Sequence, residues 1–250
     1  MIMENQLIAG LIIVLSGIVL FVVGLYFLKK KQLIADTPTS KIRSIAMGLV
    51  EITGQVIPIM ERVLRSPFTD KDCVYFHYTI EEYRSSGKSS YWAMIKKDEQ
   101  RSLFYLKDDT GIVLVDPTDA QIEARKDFEY QSGFGKDPPA QVIRFLDVNN
   151  VSHEGWFGFN KTMRYRETII VPDETLYIMG TAGENPLKKE GTTNHVDSIM
   201  IQKGSYEKHY YISDKPEKQI LTNLTLLTYG LAGGGIVLII IGAILAFQLI

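Results

Sequence analysis

Two stretches of the chain are apolar without a break, and most of what lies between them alternates. From Leu7 to Leu28 no charged residue occurs, and Leu, Ile, Val, Gly and Phe dominate. A helix of that length rises about 33 Å, enough to cross the hydrocarbon core of a bilayer. The chain is free of charge again from Leu224 to Ile250, which predicts a second crossing. Glu4 precedes the first run, and Lys29, Lys30 and Lys31 close it. Those are the flanks of an anchor; a cleaved signal peptide has a basic leader and a shorter apolar run. The pattern therefore predicts a membrane protein with transmembrane helices at 7–28 and 224–250, a linker at 29–43 and a separate domain over 44–223.

Within that domain the period is mostly two. In Gly48–Val56, Val50, Ile52 and Val56 share one parity while Glu51, Thr53 and Gln55 share the other, as in a half-buried strand. Cys73–Glu82 repeats the pattern, with Val74, Phe76, Tyr78 and Ile80 on one face. Leu103–Leu106 and Ile112–Val115 read as a hairpin in which Gly111 supplies a left-handed residue. The second of these strands is apolar on both faces, which places it centrally. Pro139 opens a short helix carrying Val142, Ile143, Phe145 and Leu146 and ending near Asn149–Asn150. Further strands are predicted at Tyr165–Val171, Thr175–Gly180, Val196–Gln202 and His209–Ser213, and Lys215–Thr225 is read as a helix leading into the second span. The fold class expected is two transmembrane helices flanking a β-rich α+β domain, partly closed as a barrel.

Charge narrows the partners. The net charge is −2 and no basic stripe is visible, which removes the electrostatic case for nucleic acid. Lys29, Lys30, Lys31, Lys41 and Arg43 follow the first span, and Lys208, Lys215 and Lys218 precede the second. This bias puts the domain in the cytoplasm, beneath a cell membrane that the chain crosses twice. A single cysteine, Cys73, excludes an internal disulfide.

Candidate chemistry is sparse. His77, His153, His195 and His209 are too scattered for a local metal motif, and no cofactor is expected. Cys73 and His77, four residues apart in one predicted strand, would sit roughly 13 Å from each other, too far for a proton-sharing dyad. Asp108, Asp109, Asp116 and Asp119 are read as turn residues in preference to a calcium site. No Gly-x-Ser-x-Gly elbow occurs, and Gly133-Phe134-Gly135-Lys136 lacks the spacing of a phosphate loop. Arg164 and Arg166 share a strand face beside Glu167 and form the candidate ligand site. That face suits an anionic headgroup, a peptide carboxylate or a partner's acidic side chain, with an internal ion pair as the alternative. Trp156, Phe157 and Phe159, set among Gly155 and Gly158, form an aromatic loop suited to core packing or to the bilayer interface. In the first span Gly10, Gly17 and Gly24 recur every seven residues, and in the second Gly235 and Gly242 do the same, followed by Ala246. This predicts close antiparallel packing along one seam, within a chain or in a homo-oligomer, with Val14 and Ile239 off the seam and Gly230 and Gly234 offering a competing face.

Several short motifs, taken in order, resemble a known family. They are Ser40-Lys41-Ile42-Arg43-Ser44 with Gly48-Leu49-Val50-Glu51, Cys73-Val74-Tyr75-Phe76-His77-Tyr78 before Glu81-Glu82, and Asp109-Thr110-Gly111 before Val113-Leu114-Val115-Asp116-Pro117. Arg164-Tyr165-Arg166-Glu167, Leu176-Tyr177-Ile178-Met179-Gly180-Thr181 and Tyr211-Ile212-Ser213-Asp214-Lys215 follow. Together they resemble the GIDE family of mitochondrial outer-membrane RING-type ubiquitin ligases and its prokaryotic relatives. The resemblance implies a beside-a-membrane domain between the spans and a zinc-binding RING after the second. With one Cys and four His the chain cannot furnish the paired four-coordinate zinc sites of a RING, so the expectation is a RING-less member that is not itself an enzyme. Its expected role is a non-catalytic interaction or ligand-sensing module at the membrane surface, bound to another membrane protein, a peptide or lipid headgroups. The alternative is a component of ubiquitin-type transfer or of membrane and organelle organisation, with any RING supplied by another chain. The family's eukaryotic topology implies an extracytoplasmic domain, opposite to the charge bias.

Overall fold

The structure is a computed structural model that describes residues 2–155, 160–188, 196–205 and 209–247, with the backbone alone for 2–6 and 196. The chain divides into two compact units, a helical one made from both ends and a β unit spanning Thr39–Asp214.

In the helical unit, α1 (Ile2–Asp36) and α3 (Glu217–Phe247) are each long and apolar enough to cross a membrane. Their outer faces are aliphatic. Ile12, Leu15 and Val19 on α1 and Val237, Ile240 and Ile244 on α3 are each more than half exposed, an arrangement suited to lipid and costly in water. The segment expected as linker from Lys29 is helical as far as Asp36. Lys, Gln, Leu and Ala there are good helix formers, and Pro38 is the first residue that cannot continue the ladder. At the other end α3 begins at Glu217 and runs unbroken through the predicted boundary at 224.

The β unit contains, among the described residues, β1 (Gly48–Pro58), β2 (Leu64–Arg65), β3 (Asp72–Cys73), β4 (Tyr75–Ser86), β5 (Ser89–Arg101), β6 (Phe104–Lys107) and β7 (Ile112–Val115). These are followed by β8 (Gln121–Glu123), β9 (Phe128–Gln131), the helix α2 (Ala140–Val148), β10 (Met163–Ile170), β11 (Thr175–Glu184), β12 (Ile199–Gln202) and β13 (Tyr211–Ser213). Strands β1, β6, β7, β12 and β11 close into a five-stranded barrel, because β1 pairs with β11 through Gly48–Gln55 and with β6 through Gln55–Pro58. The barrel expected to be partly closed is thus closed. Gly54 sits where β1 passes from one neighbour to the other, and a Cβ there would lie 2.5 Å from the Lys107 carbonyl oxygen. The interior is filled by Val50, Ile52, Val56, Leu106, Val113, Val115, Leu176, Ile178 and Ile201, the apolar parity of each strand. Strand β13 extends the wall beside β11, and β8 runs parallel to β13.

A second sheet, in the order β5-β4-β10-β9, packs one face on α2. Its core holds Phe76, Tyr78, Ile80, Met163, Tyr165, Ile169, Val142 and Leu146, with the Phe68 ring edge-on to Tyr78, Phe145 and Tyr165. Strand β5 has no counterpart in the sequence reading, because its second half, Lys96–Arg101, is polar throughout and shows no alternation. Its register is set by the two-residue turn Gly87–Lys88, where Gly87 takes φ +58°. Two predicted strands begin later than expected: pairing breaks at Val74, so β4 starts at Tyr75 and runs on to Ser86, and Val196–Ser198 form a 3-10 turn before β12.

Candidate functional site

Alternation along β10 puts Arg164 and Arg166 on the face of the second sheet away from α2 and turns Glu167 inward. On the outer face Arg164 Nε donates to Glu81 Oε2 at 2.8 Å, and an Arg166 guanidinium nitrogen lies 3.0 Å from the same oxygen. Arg166 Nε also donates to Glu129 Oε1 at 3.0 Å, and Lys126 Nζ donates to its other oxygen at 2.6 Å. The hydrogen bonds from Lys126 and Arg166 hold the Glu129 carboxyl below the usual range. The Arg164 guanidinium lies 4.3 Å from the Trp92 ring centroid, and Tyr83 meets Trp92 edge-on at 5.3 Å. Both arginines are therefore engaged by this chain's own carboxylates, and an incoming anion would have to displace Glu81. Through Arg164 this ladder reaches Trp92 on the outer face of the sheet.

Glu167 is almost wholly buried, and its carboxylate accepts the amide N–H groups of Phe68 (2.7 Å) and Thr69 (2.9 Å) and the Thr69 hydroxyl (2.6 Å). It organises the turn between β2 and β3, and is not brought together with the arginines. Cys73 packs beneath that turn, fully buried. Burial, then the Glu167 and Asp72 carboxylates, push its thiol up to about 12. Among the described residues no group of three or more His, Cys, Asp or Glu side chains is placed to hold a metal ion. Trp156, Phe157 and Phe159 lie outside the described residues.

The family-like motifs of β4 and β10 belong to the second sheet, while those at 40–51, 109–117, 176–181 and 211–214 lie on the barrel and the strands beside it. The Ser40 amide donates to the Glu51 carbonyl (2.7 Å), and the Glu51 carboxylate accepts the hydroxyls of Thr39 (2.6 Å) and Tyr177 (2.7 Å). Tyr177 packs edge-on against Tyr211, whose hydroxyl donates to Glu123 at 2.6 Å. At the β6–β7 loop, Asp108 accepts the amides of Ile42, Thr110 and Gly111 and the Thr110 hydroxyl, while Lys41 Nζ meets Asp109 at 2.5 Å. Burial alone would raise the Asp108 carboxyl, but those donors outweigh it and hold it below the usual range. Gly111 has no left-handed φ. It is needed for space, since a Cβ there would lie 3.3 Å from the Ile42 side chain. The sequence pattern missed Glu51 as a buried group, because its parity is that of the strand's polar face.

In the helical unit, a Cβ built on Gly10 would meet Gly242 O at 3.0 Å, one on Gly17 would meet Gly235 O at 2.7 Å, and one on Gly24 would meet Ala232 N at 2.7 Å. The helices are thus antiparallel with backbones in near contact, whereas a Cβ built on Gly230, Gly233 or Gly234 would meet nothing within 4 Å among the described residues. Val14 and Ile239 lie on the seam: a Cβ on Gly242 would be 2.8 Å from Val14, and one on Gly17 would be 2.9 Å from Ile239.

Comparison with known proteins gives one family match: residues 75–246 fit the family GIDE, described as E3 Ubiquitin ligase. No curated protein and no solved structure matches the chain.

Proposed function

Because the chain belongs to the GIDE family, we propose that it acts as a membrane-anchored, non-catalytic interaction module whose β unit recognises another membrane protein or a peptide at the membrane surface. The observation that supports this is the exposed aromatic surface of the β4–β5 hairpin. Tyr83 and Met94, on the face that carries Trp92 and Arg164, and Tyr91 on the opposite face of the hairpin are each more than a third exposed, and these residue types are enriched where proteins meet. Arg164 and Arg166 act as positioning residues for that surface. One Cys and four His do not furnish paired RING zinc sites within these 250 residues, so any transfer activity would draw on a RING outside them. The family's description as ubiquitin ligase favours that second reading. The bias of Lys and Arg toward the domain side of both spans supports a cytoplasmic β unit.

Chemical crosslinking of the full chain in its own membranes, read by mass spectrometry with wild type and Trp92→Ala side by side, tests the reading. A partner crosslinked through the β4–β5 hairpin and lost in Trp92→Ala is expected. Ubiquitin-like discharge from a charged carrier by the purified chain alone would overturn the non-catalytic role.

A further inference from the structure

Strand β5 is the longest in the molecule and lies at a sheet edge, paired only with β4 among the described residues. Backbone groups on such a strand alternate between the inner neighbour and the open side. Tyr83, opposite Trp92, donates its N–H to Thr162 O at 2.8 Å on the β10 side, so Tyr83 and Trp92 form a non-hydrogen-bonded pair. Trp92, and with it Ser90 and Met94, therefore directs its N–H and C=O outward.

The two halves of this edge are treated differently. From Ile95 onward the strand carries the devices that block strand addition: a register shift that leaves Ile95 without a partner between the pairs Glu81–Met94 and Ile80–Lys96, two lysines at Lys96 and Lys97, and an Asp98 carboxylate that caps the outward amide of Glu99 at 2.9 Å. The stretch from Ser89 to Met94 has none of them. It is uncharged, and Tyr91 and Met94 are exposed along it.

We propose that the outer edge of Ser90–Met94 receives an extended peptide segment of a partner protein as an added strand, one with an apolar, β-branched centre and acidic residues at both ends. Charge selects the occupant. Lys88 stands at one end of the uncharged stretch, and Lys96 with Lys97 at the other, roughly 26 Å apart at about 3.3 Å per residue. Lys88 and Lys97 have no ion-pair partner among the described residues, while Glu99 at that end is taken by Arg101. A second copy of the chain fits worse. The register that pairs the whole uncharged stretch with itself brings Lys88 of each copy onto Lys96 and Lys97 of the other, and like charges directly opposite are destabilising. The inference deepens the interaction-module reading and rests on it.

The test uses the full chain in mild detergent and two fluorescein-labelled peptides with the same alternating Val/Thr centre, one ended by Glu and one by Lys. The Glu-ended peptide should bind about tenfold more tightly, the size expected for two exposed ion pairs replaced by repulsions. In the double variant Lys88→Glu/Lys97→Glu the preference should reverse. Ser90→Pro and Met94→Pro fall where the N–H points away from β4, so the fold tolerates them while strand addition is blocked, and both peptides should lose binding. If the proline variants fail to fold, the charge reversal decides alone. Equal binding of the two peptides, a preference unmoved by Lys88→Glu/Lys97→Glu, or disulfide-linked dimers through Ser90→Cys/Met94→Cys in a Cys73→Ser background, the two positions that face each other in that self-pairing register, would each overturn the proposal. Absence of any crosslink that differs between wild type and Trp92→Ala overturns the module reading itself; such a crosslink beside a failed peptide test leaves that reading standing without strand addition.

Discussion

Replacing Gly17 by Leu should push the two long helices apart. A single Cβ at this position already lies 2.7 Å from Gly235 O and 2.9 Å from Ile239 N, and both atoms are backbone of α3, which cannot rotate away. Reaching an ordinary contact near 3.4 Å requires a separation of about 0.7 Å, and a gap of that size forfeits a quarter to a half of each van der Waals contact along the seam. Overpacking of this kind costs about 1–3 kcal/mol for added methylenes, and Leu places several atoms in the same space. In lipid no hydrophobic gain between helices offsets the loss. The reporter is a disulfide between Gly10→Cys and Ala246→Cys in a Cys73→Ser background, because the Ala246 Cβ is 3.3 Å from a Cβ built at Gly10 and disulfide Cβ atoms sit about 3.5–4.5 Å apart. Oxidation should be efficient in that parent, sharply reduced with Gly17→Leu, and unchanged with Gly234→Leu, where nothing lies within 4 Å. Equal oxidation in the parent and Gly17→Leu, with a drop in Gly234→Leu, would refute the seam. Val14 and Ile239 cannot serve as controls, since both pack along it.

Three further outcomes follow from groups held by hydrogen bonds or burial. The Asp108 carboxyl titrates lower folded than unfolded, so its contribution is fully present above the unfolded value near 4 and disappears as pH falls through the folded one; Asp108→Asn should flatten the dependence of Tm on pH in the acid range. Glu167→Ala strands the amides of Phe68 and Thr69 and should cost about 2–3 kcal/mol, read as a lower Tm and as new proteolysis in the β2–β3 turn. Cys73, buried and with its thiol pushed up to about 12, should resist alkylation at pH 8 in the native chain and react on unfolding, and ready modification of folded protein would contradict its placement.

The two long helices, the seam glycines Gly10, Gly17, Gly24, Gly235 and Gly242, and the apolar parities of β1, β4 and β10 are all legible in the sequence. Each rests on a local period, uninterrupted apolar length, seven or two, that burial imposes regardless of what the element packs against. The short helix after Pro139 is legible for the same reason. Barrel closure is not, because it depends on β1 changing partners from β11 to β6 at Gly54, and the need for glycine arises only from a carbonyl brought there by a distant hairpin. Strand β5 escapes notice because an edge strand in water has no buried face to impose a period. Glu51 carries the parity of a solvent-facing residue, and only the fold sets Tyr177 and Thr39 against it. The arginines of β10 were visible as a pair on one face. Whether they meet a ligand or their own chain's carboxylates was decided by the register that lays Glu81 and Glu129 beside them, a long-range pairing that no local pattern encodes.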